Sequence, residues 1–293
     1  MNKKAIIVYV DNNSNGLDEY MWLYKSWYIN KLYKEYDVIV YCNPRIEDQI
    51  PKHPNVITRK MVPVYEIDDF WKEYKFVNSF AMFNDASEIE WISKKYDFLL
   101  KTDADVFLTE NLLGLNPSKT IIGMGGYMQD CTSEEVKLNL DRIRNNLNLN
   151  DSGINHIGAS IFGKTDIVLT IVRNHFVVTK YILSNEWKDG NGKWPCWFKG
   201  VCSMYAIHLV VNHFLNIQSI NLWGLDDLCW QNDISKNTYH IHAWHSHEDF
   251  SKHKWFEGYY SKFNATTTPK IAKDYCLWIA SNSLEELLEV NQN

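Results

Sequence analysis

The sequence predicts an α/β fold: a mostly parallel central sheet flanked by helices, with a helical C-terminal tail. Two observations carry this. Short β-branched runs at residues 6–10, 37–42 and 56–62 have the length and composition of buried strands. Between the first two lies a stretch with helical apolar spacing, and strand–helix–strand at this spacing is a βαβ unit with parallel pairing. The chain has 293 residues, long enough to bury a substantial core. Residues 1–263 are expected to form the main domain, and residues 264–293 a helical tail packed on it.

The first strand, 6–10, ends in a polar loop of turn formers, Asp11-Asn12-Asn13-Ser14-Asn15-Gly16. A helix is expected over 17–36, where Leu17, Met21, Tyr24 and Tyr28 recur on one face. The second strand closes at Asn43-Pro44. Residues 75–95 read as one helix, with Phe76, Phe80 and Phe83 sharing a face. A short apolar strand, Phe98-Leu99-Leu100, follows it. Residues 120–126 read as a strand running into a glycine turn, and 130–151 as an exposed, charged insert.

Residues 154–163 are expected to be a strand, after which Thr165 caps a helix with Asp166 at its positive end. Residues 167–183 are so apolar that they must be mostly buried, and 201–215 read as a second buried helix. A strand is expected over 217–223. The acidic turn Gly224-Leu225-Asp226-Asp227 comes next, and then the histidine-rich run from His240 to His247. In the tail, Ser283-x-x-Glu286 is a capping box that starts the last helix.

Composition excludes several classes of function. The net charge is −6 and the basic residues are scattered, which argues against a nucleic-acid-binding surface. Six cysteines are widely spaced without a Cys-x-x-Cys pair, as expected of free thiols in a reducing compartment. No run of 18 apolar residues occurs, so no membrane span is expected. A cytoplasmic location follows from these readings.

The chemistry concentrates in Phe98-Leu99-Leu100-Lys101-Thr102-Asp103-Ala104-Asp105-Val106-Phe107-Leu108. Two acids at i and i+2 on an extended backbone point to the same side. Carboxylates so close repel each other unless a cation lies between them. Oxygen ligands of this kind suit Mn²⁺ or Mg²⁺. A solvated acidic turn does not need apolar runs on both sides.

Asp-x-Asp between apolar strands, preceded by an amphipathic helix, resembles the metal motif of nucleotide-sugar glycosyltransferases with the GT-A fold, a Rossmann-like architecture. The resemblance implies a metal-dependent glycosyltransferase, with residues 1–263 as its catalytic domain. Its donor would be a UDP- or GDP-linked sugar, and its acceptor a glycan or other hydroxyl. Asp103 and Asp105 would hold the metal, and Asp103 and Ala104 would lie against the nucleotide sugar. Tyr9, Val10 and Asp11 at the end of the first strand would hold the nucleoside, and Lys75 and Asn78 would face the nucleotide as well. Many GT-A enzymes complete the metal shell with a late histidine followed by a lysine. The matching positions here are His242, with His245 as competitor, and Lys252 or Lys254 against the diphosphate.

The histidines also stand on their own reading. His240 and His242 alternate on a predicted strand and share a face. Ile241 and Trp244, interspersed among His240, His242, His245 and His247, indicate burial, and buried imidazoles need partners. A zinc site is a further possibility, although no Cys or acid lies at the usual spacing.

One departure from the family pattern concerns the general base. The helix expected to carry it, beginning Gly200-Val201-Cys202, has no acid. Asp226 and Asp227 are the candidate catalytic acids, or else a turn. The missing base favours a retaining reaction, in which the leaving phosphate takes the acceptor proton. Trp187, Trp194 and Trp197 are read either as sugar-stacking or as core cover, and Gly125-Gly126 and Gly158-Ala159 as places of close approach. The competing functions are a nucleotidyltransferase, for which the loop after the first strand lacks a basic residue, and a non-catalytic sugar- or nucleotide-binding protein.

Overall fold

The computed structural model describes residues 2–13, 15–125, 134–228, 232–243 and 250–292. Its strands are β1 (Lys4–Val10), β2 (Tyr36–Cys42), β3 (Val56–Lys60), β4 (Phe98–Lys101), β5 (Val106–Leu108), β6 (Thr120–Met124), β7 (Ile157–Lys164), β8 (Ile220–Asn221), β9 (Asp227–Leu228) and β10 (His240–His242). The helices are α1 (Gly16–Ile29), α2 (Val64–Ile67), α3 (Asn78–Ala81), α4 (Ala86–Lys95), α5 (Glu134–Asn146), α6 (Thr165–Asn185), α7 (Cys202–Phe214), α8 (Lys252–Phe256), α9 (Ala272–Ser281) and α10 (Leu284–Gln292). The fold is α/β, with mostly parallel strands, flanking helices and a helical C-terminus, as the sequence predicts.

The chain forms two compact units, residues 1–4, 61–101 and 117–222 in one, and residues 5–60, 102–116 and 223–293 in the other. In the first, the strand order is β4-β7-β6-β8, with β7 antiparallel to both neighbours and β6 parallel to β8. Gly125 is required where the chain leaves β6. A Cβ there would lie 2.4 Å from the carbonyl oxygen of Ile157, so this glycine serves close strand packing. The proposed partner glycine, Gly126, lies outside the described residues. Helix α6 is long and apolar enough by composition to cross a membrane, but its face from Val168 to Ile182 is buried within the unit, as in a core helix.

The second unit carries the order β3-β2-β1, with β2 and β3 parallel, and a small sheet of order β5-β10-β9. Strand β10 is antiparallel to β5 and parallel to β9. Its core gathers Trp22 of α1, Phe107, Ile241, Phe250 and residues of α9, including Tyr275 and Trp278. Trp22 stacks on Phe107 with ring centroids 5.3 Å apart and meets Phe250 edge-on at 5.4 Å. Burying this aromatic surface stabilises the unit. Lys25 Nζ donates to the carbonyls of Ala280 and Asn282, closing the C-terminal end of α9.

Several local expectations fail for identifiable reasons. The helix expected over 17–36 stops at Ile29, because the Asn30 side chain donates to the Ser26 carbonyl and Lys31 turns left-handed with φ 56°. The helix expected over 75–95 is broken at Asp85, which leaves helical geometry and accepts from the N–H groups of Ser87 and Glu88 as the cap of α4. Thr165 is the first residue of α6 and not its cap, and Lys164 holds the cap position without a side-chain bond. The strand expected over 217–223 shrinks to Ile220–Asn221, because the Asn216 side chain caps a tight turn at Ile217–Ser219. The segment read as an exposed insert contains α5, whose Val136, Leu140 and Ile143 are buried. The Ser283–Glu286 capping box forms as expected: Glu286 Oε2 accepts from the Ser283 N–H at 2.8 Å, and Ser283 Oγ from that of Glu286 at 3.3 Å.

Candidate functional site

The site is built on β5 and β10 of the second unit. Ile241 pairs with Phe107, and both side chains enter the core. By the two-residue alternation of a strand, His240 and His242 are turned to the other face. The register sets His242 opposite Val106, and the Ala243 N–H donates to the Asp105 carbonyl at 3.0 Å, so His242 is carried beside Asp105. One ligand atom each of Asp103, Asp105 and His242 lie within 4.8 Å of one another.

Asp105 is the centre of this group. Its carboxylate is almost wholly buried, receiving His242 Nε2 at 3.2 Å on one oxygen and Lys252 Nζ at 2.6 Å on the other. Burial alone would raise its pKa, but His242 and Lys252 together hold it well below the usual carboxylate range. The effect on His242 is reciprocal. Burial would lower its pKa, but the charge of Asp105 and the hydrogen bond to it lift it to about 9. Lys252 is likewise held above its ordinary value, with Asp105 and then Glu19 outweighing desolvation.

Local sequence places each partner. Phe250 is anchored in the core, and Ser251 caps α8, leaving Lys252 as the first helical residue. Glu19 sits in the first turn of α1, one turn before Trp22, and its Oε1 lies 3.6 Å from Lys252 Nζ. Burial, and then the Asp105 carboxylate, push Glu19 up to about 7 against the pull of Lys252. Sequence reasoning did not single out Glu19; its only signal is an acidic first turn on the helix after β1.

A second polar pair lies behind the first. His240 is fully buried, and its Nδ1 accepts from the Asp226 N–H at 3.2 Å. The proton of the neutral ring is thereby assigned to Nε2, 3.5 Å from Thr102 Oγ1 and 3.8 Å from an Asp226 carboxylate oxygen. Desolvation pushes His240 down to about 4, with Asp226 opposing it. Asp226 is buried in left-handed geometry at φ 54°, which Asp tolerates better than most residues. Gly224 before it has φ 101°, and a Cβ there would lie 2.2 Å from the Asn237 carbonyl oxygen. Asp227 belongs to β9, and its Oδ2 accepts from Thr238 Oγ1 at 2.7 Å.

The remaining sequence-predicted residues divide between the units. Tyr9 and Val10 end β1; Val10 is buried and the Tyr9 hydroxyl donates to Asp11 Oδ1 at 3.2 Å. Ala104 stands between the two acids, half-buried. Lys254 lies on α8, where its N–H donates to Ser251 Oγ. Lys75 and Asn78 belong to the first unit. There Lys75 Nζ lies 5.2 Å from the centroid of the Tyr65 ring, and buried Asn78 accepts from the Val64 N–H at 2.9 Å. His245, the alternative ligand, lies outside the described residues. Trp197 stacks on Trp187 and Tyr205, whereas Trp194 is exposed.

The donor types suit a hard divalent cation, since two carboxylates and an imidazole converge; to bind one, Asp105 must exchange Lys252 and His242 for the ion, and His242 must release its proton to ligate. Over residues 1–287 the sequence matches the model of a family described as a domain of unknown function, DUF7164, and the chain belongs to that family. No curated protein matches it significantly.

Proposed function

We propose that the chain is a metal-dependent glycosyltransferase of GT-A type, moving a sugar from a UDP- or GDP-linked donor to a glycan or other hydroxyl acceptor. The observation that carries this reading is the convergence of Asp103, Asp105 and His242, with Lys252 Nζ 2.6 Å from Asp105. Asp103, Asp105 and His242 would hold Mn²⁺ or Mg²⁺. When bound, such an ion supplies Lewis acidity to the diphosphate leaving the anomeric carbon. Lys252 supplies a positive charge beside the same phosphates, where a donor in a partly desolvated site is worth more than in water. Tyr9 and Asp11, joined at the end of β1, hold the nucleoside.

Helix α7 carries no acid, and both candidate bases, Asp226 and Asp227, are engaged by neighbours, which favours the retaining course. We place the protein in the cytoplasm, a reducing compartment that suits free thiols such as Cys42, Cys202 and Cys276. Thermal unfolding with UDP or GDP, each with and without Mn²⁺, tests the reading, because a ligand that binds only the folded chain raises its apparent stability. Stabilisation by a nucleoside diphosphate only when Mn²⁺ is present, followed by release of that diphosphate from its sugar conjugate, is the expected result. Stabilisation without turnover would favour the non-catalytic binding protein, and no stabilisation would remove the reading.

A further inference from the structure

Lys252 is placed where a cation entering the site would meet it. Its ammonium lies 2.6 Å from Asp105 Oδ2, while His242 Nε2 takes the other oxygen at 3.2 Å. Asp105 is therefore already neutralised by the protein's own positive groups. Two carboxylates as close as Asp103 and Asp105 need a cation near them. Lys252 is that cation for Asp105 when no ion is bound.

Lys252 also has a second anchor. Glu19 Oε1 lies 3.6 Å from Nζ, so the lysine lies within reach of two carboxylates from different elements, the loop leading into β5 and α1. A lysine chain is long and flexible, and its ammonium is a compact point charge that can turn between partners. A divalent ion on Asp105 and an ammonium on the same carboxylate repel each other at these distances. One of them has to give way, and Glu19 offers Lys252 a place to go.

We propose that Lys252 is a displaceable internal counter-ion that competes with the metal for Asp105 and couples metal binding to the binding of a diphosphate, with Glu19 as its alternative anchor. This inference rests on the metal reading of the site given above and adds to it a regulation of that site. A diphosphate drawing Lys252 towards its oxygens frees Asp105 for the ion. By linkage, the ion then strengthens diphosphate binding by the same factor. Either ligand alone has to displace Lys252 without help.

The test is Mn²⁺ binding measured calorimetrically, with no nucleotide present, on the full chain and on Lys252→Met and Lys252→Arg. Methionine keeps the length and apolar stem of the side chain, and arginine keeps the charge. Competition predicts that Lys252→Met binds Mn²⁺ about tenfold more tightly than wild type, the size of a typical coupling between sites. Lys252→Arg should stay near wild type. Inorganic pyrophosphate should then increase Mn²⁺ affinity more in wild type than in Lys252→Met. Unchanged or weaker Mn²⁺ binding by a folded Lys252→Met overturns the coupling while leaving the metal site standing. Absence of Mn²⁺ binding in all three proteins overturns the metal site and the coupling with it. A lysine that only touches phosphate would leave binding of the metal alone unaltered.

Discussion

His240 and His242 stand two residues apart on one face of β10, and the protein holds them in opposite states. His240 has its pKa pushed down to about 4, and His242 has its own lifted to about 9. Both are penalised by burial. What separates them is the position of the nearest carboxylate. Asp105 bonds His242 directly at 3.2 Å, whereas Asp226 offers His240 an N–H on one ring nitrogen and keeps its carboxylate 3.8 Å from the other. A contact of hydrogen-bond length overturns the desolvation term, and a slightly longer one does not. The deeper histidine is a structural group, and the shallower one belongs to a charged cluster.

The contrast breaks most severely at Asp105. Asp105→Ala leaves the positive groups of His242 and Lys252 without their main countercharge. Sequence reasoning would have expected relief of repulsion between two acids, but the surroundings of Asp105 are cationic. Removing one partner of a buried ion pair typically costs about 3 kcal/mol or more. Chemical denaturation of the metal-free protein at pH 7 should show a loss of about that size, and an Asp105→Ala variant as stable as wild type would mean the cluster is loosely held.

A histidine titration by NMR on the metal-free protein sharpens the comparison. His242 should titrate near pH 9 and His240 near pH 4, and Asp105→Asn should bring His242 down to the ordinary imidazole range or below, while His240, held down first by burial, stays below that range. Convergence of the two in the wild type would contradict the assignment.

The smallest effect concerns stability in acid. The folded pKa of His240 lies below its unfolded value near 6.5, so its neutral form contributes stability above that pH, and the contribution is lost as pH falls towards 4. His240→Gln should therefore flatten the decline between these limits, by about 2 kcal/mol at pH 5. His208, also buried and pushed down to about 4, acts in the same window with the same sign, so part of the acid limb will persist. For His242 the sign is reversed, since its charged form is favoured in the fold and its contribution fades as pH rises through about 9.

The parts of this arrangement that were legible in the sequence are those set by neighbours along the chain. Alternation places His240 and His242 on one face, the Asp-x-Asp acids are read from the apolar runs Phe98–Leu100 and Val106–Leu108 that flank them, and the Ser283–Glu286 box closes within one turn. Glu19 was not legible, because its role depends on α1 bringing it to Lys252 from the far end of the chain. The contrast between the histidines was hidden as well: burial in the folded core lowers the pKa of His240, and a carboxylate remote in sequence, Asp105, raises that of His242. Helices 17–36 and 75–95 were overextended because apolar periodicity continued past Asn30 and Asp85, whose side chains bond the backbone and end or restart the helix.

The account stands or falls on whether Asp105 serves a cation. Mn²⁺ titrated into wild type and Asp105→Asn, followed by the loss of free-ion EPR signal, addresses this without any substrate. Asparagine keeps the size of the side chain and removes its charge. One saturable site in wild type, weakened at least about a hundredfold in a folded Asp105→Asn, is the predicted result. Equal Mn²⁺ binding by the two proteins, or none by wild type, would contradict the claim that Asp103, Asp105 and His242 form a metal centre.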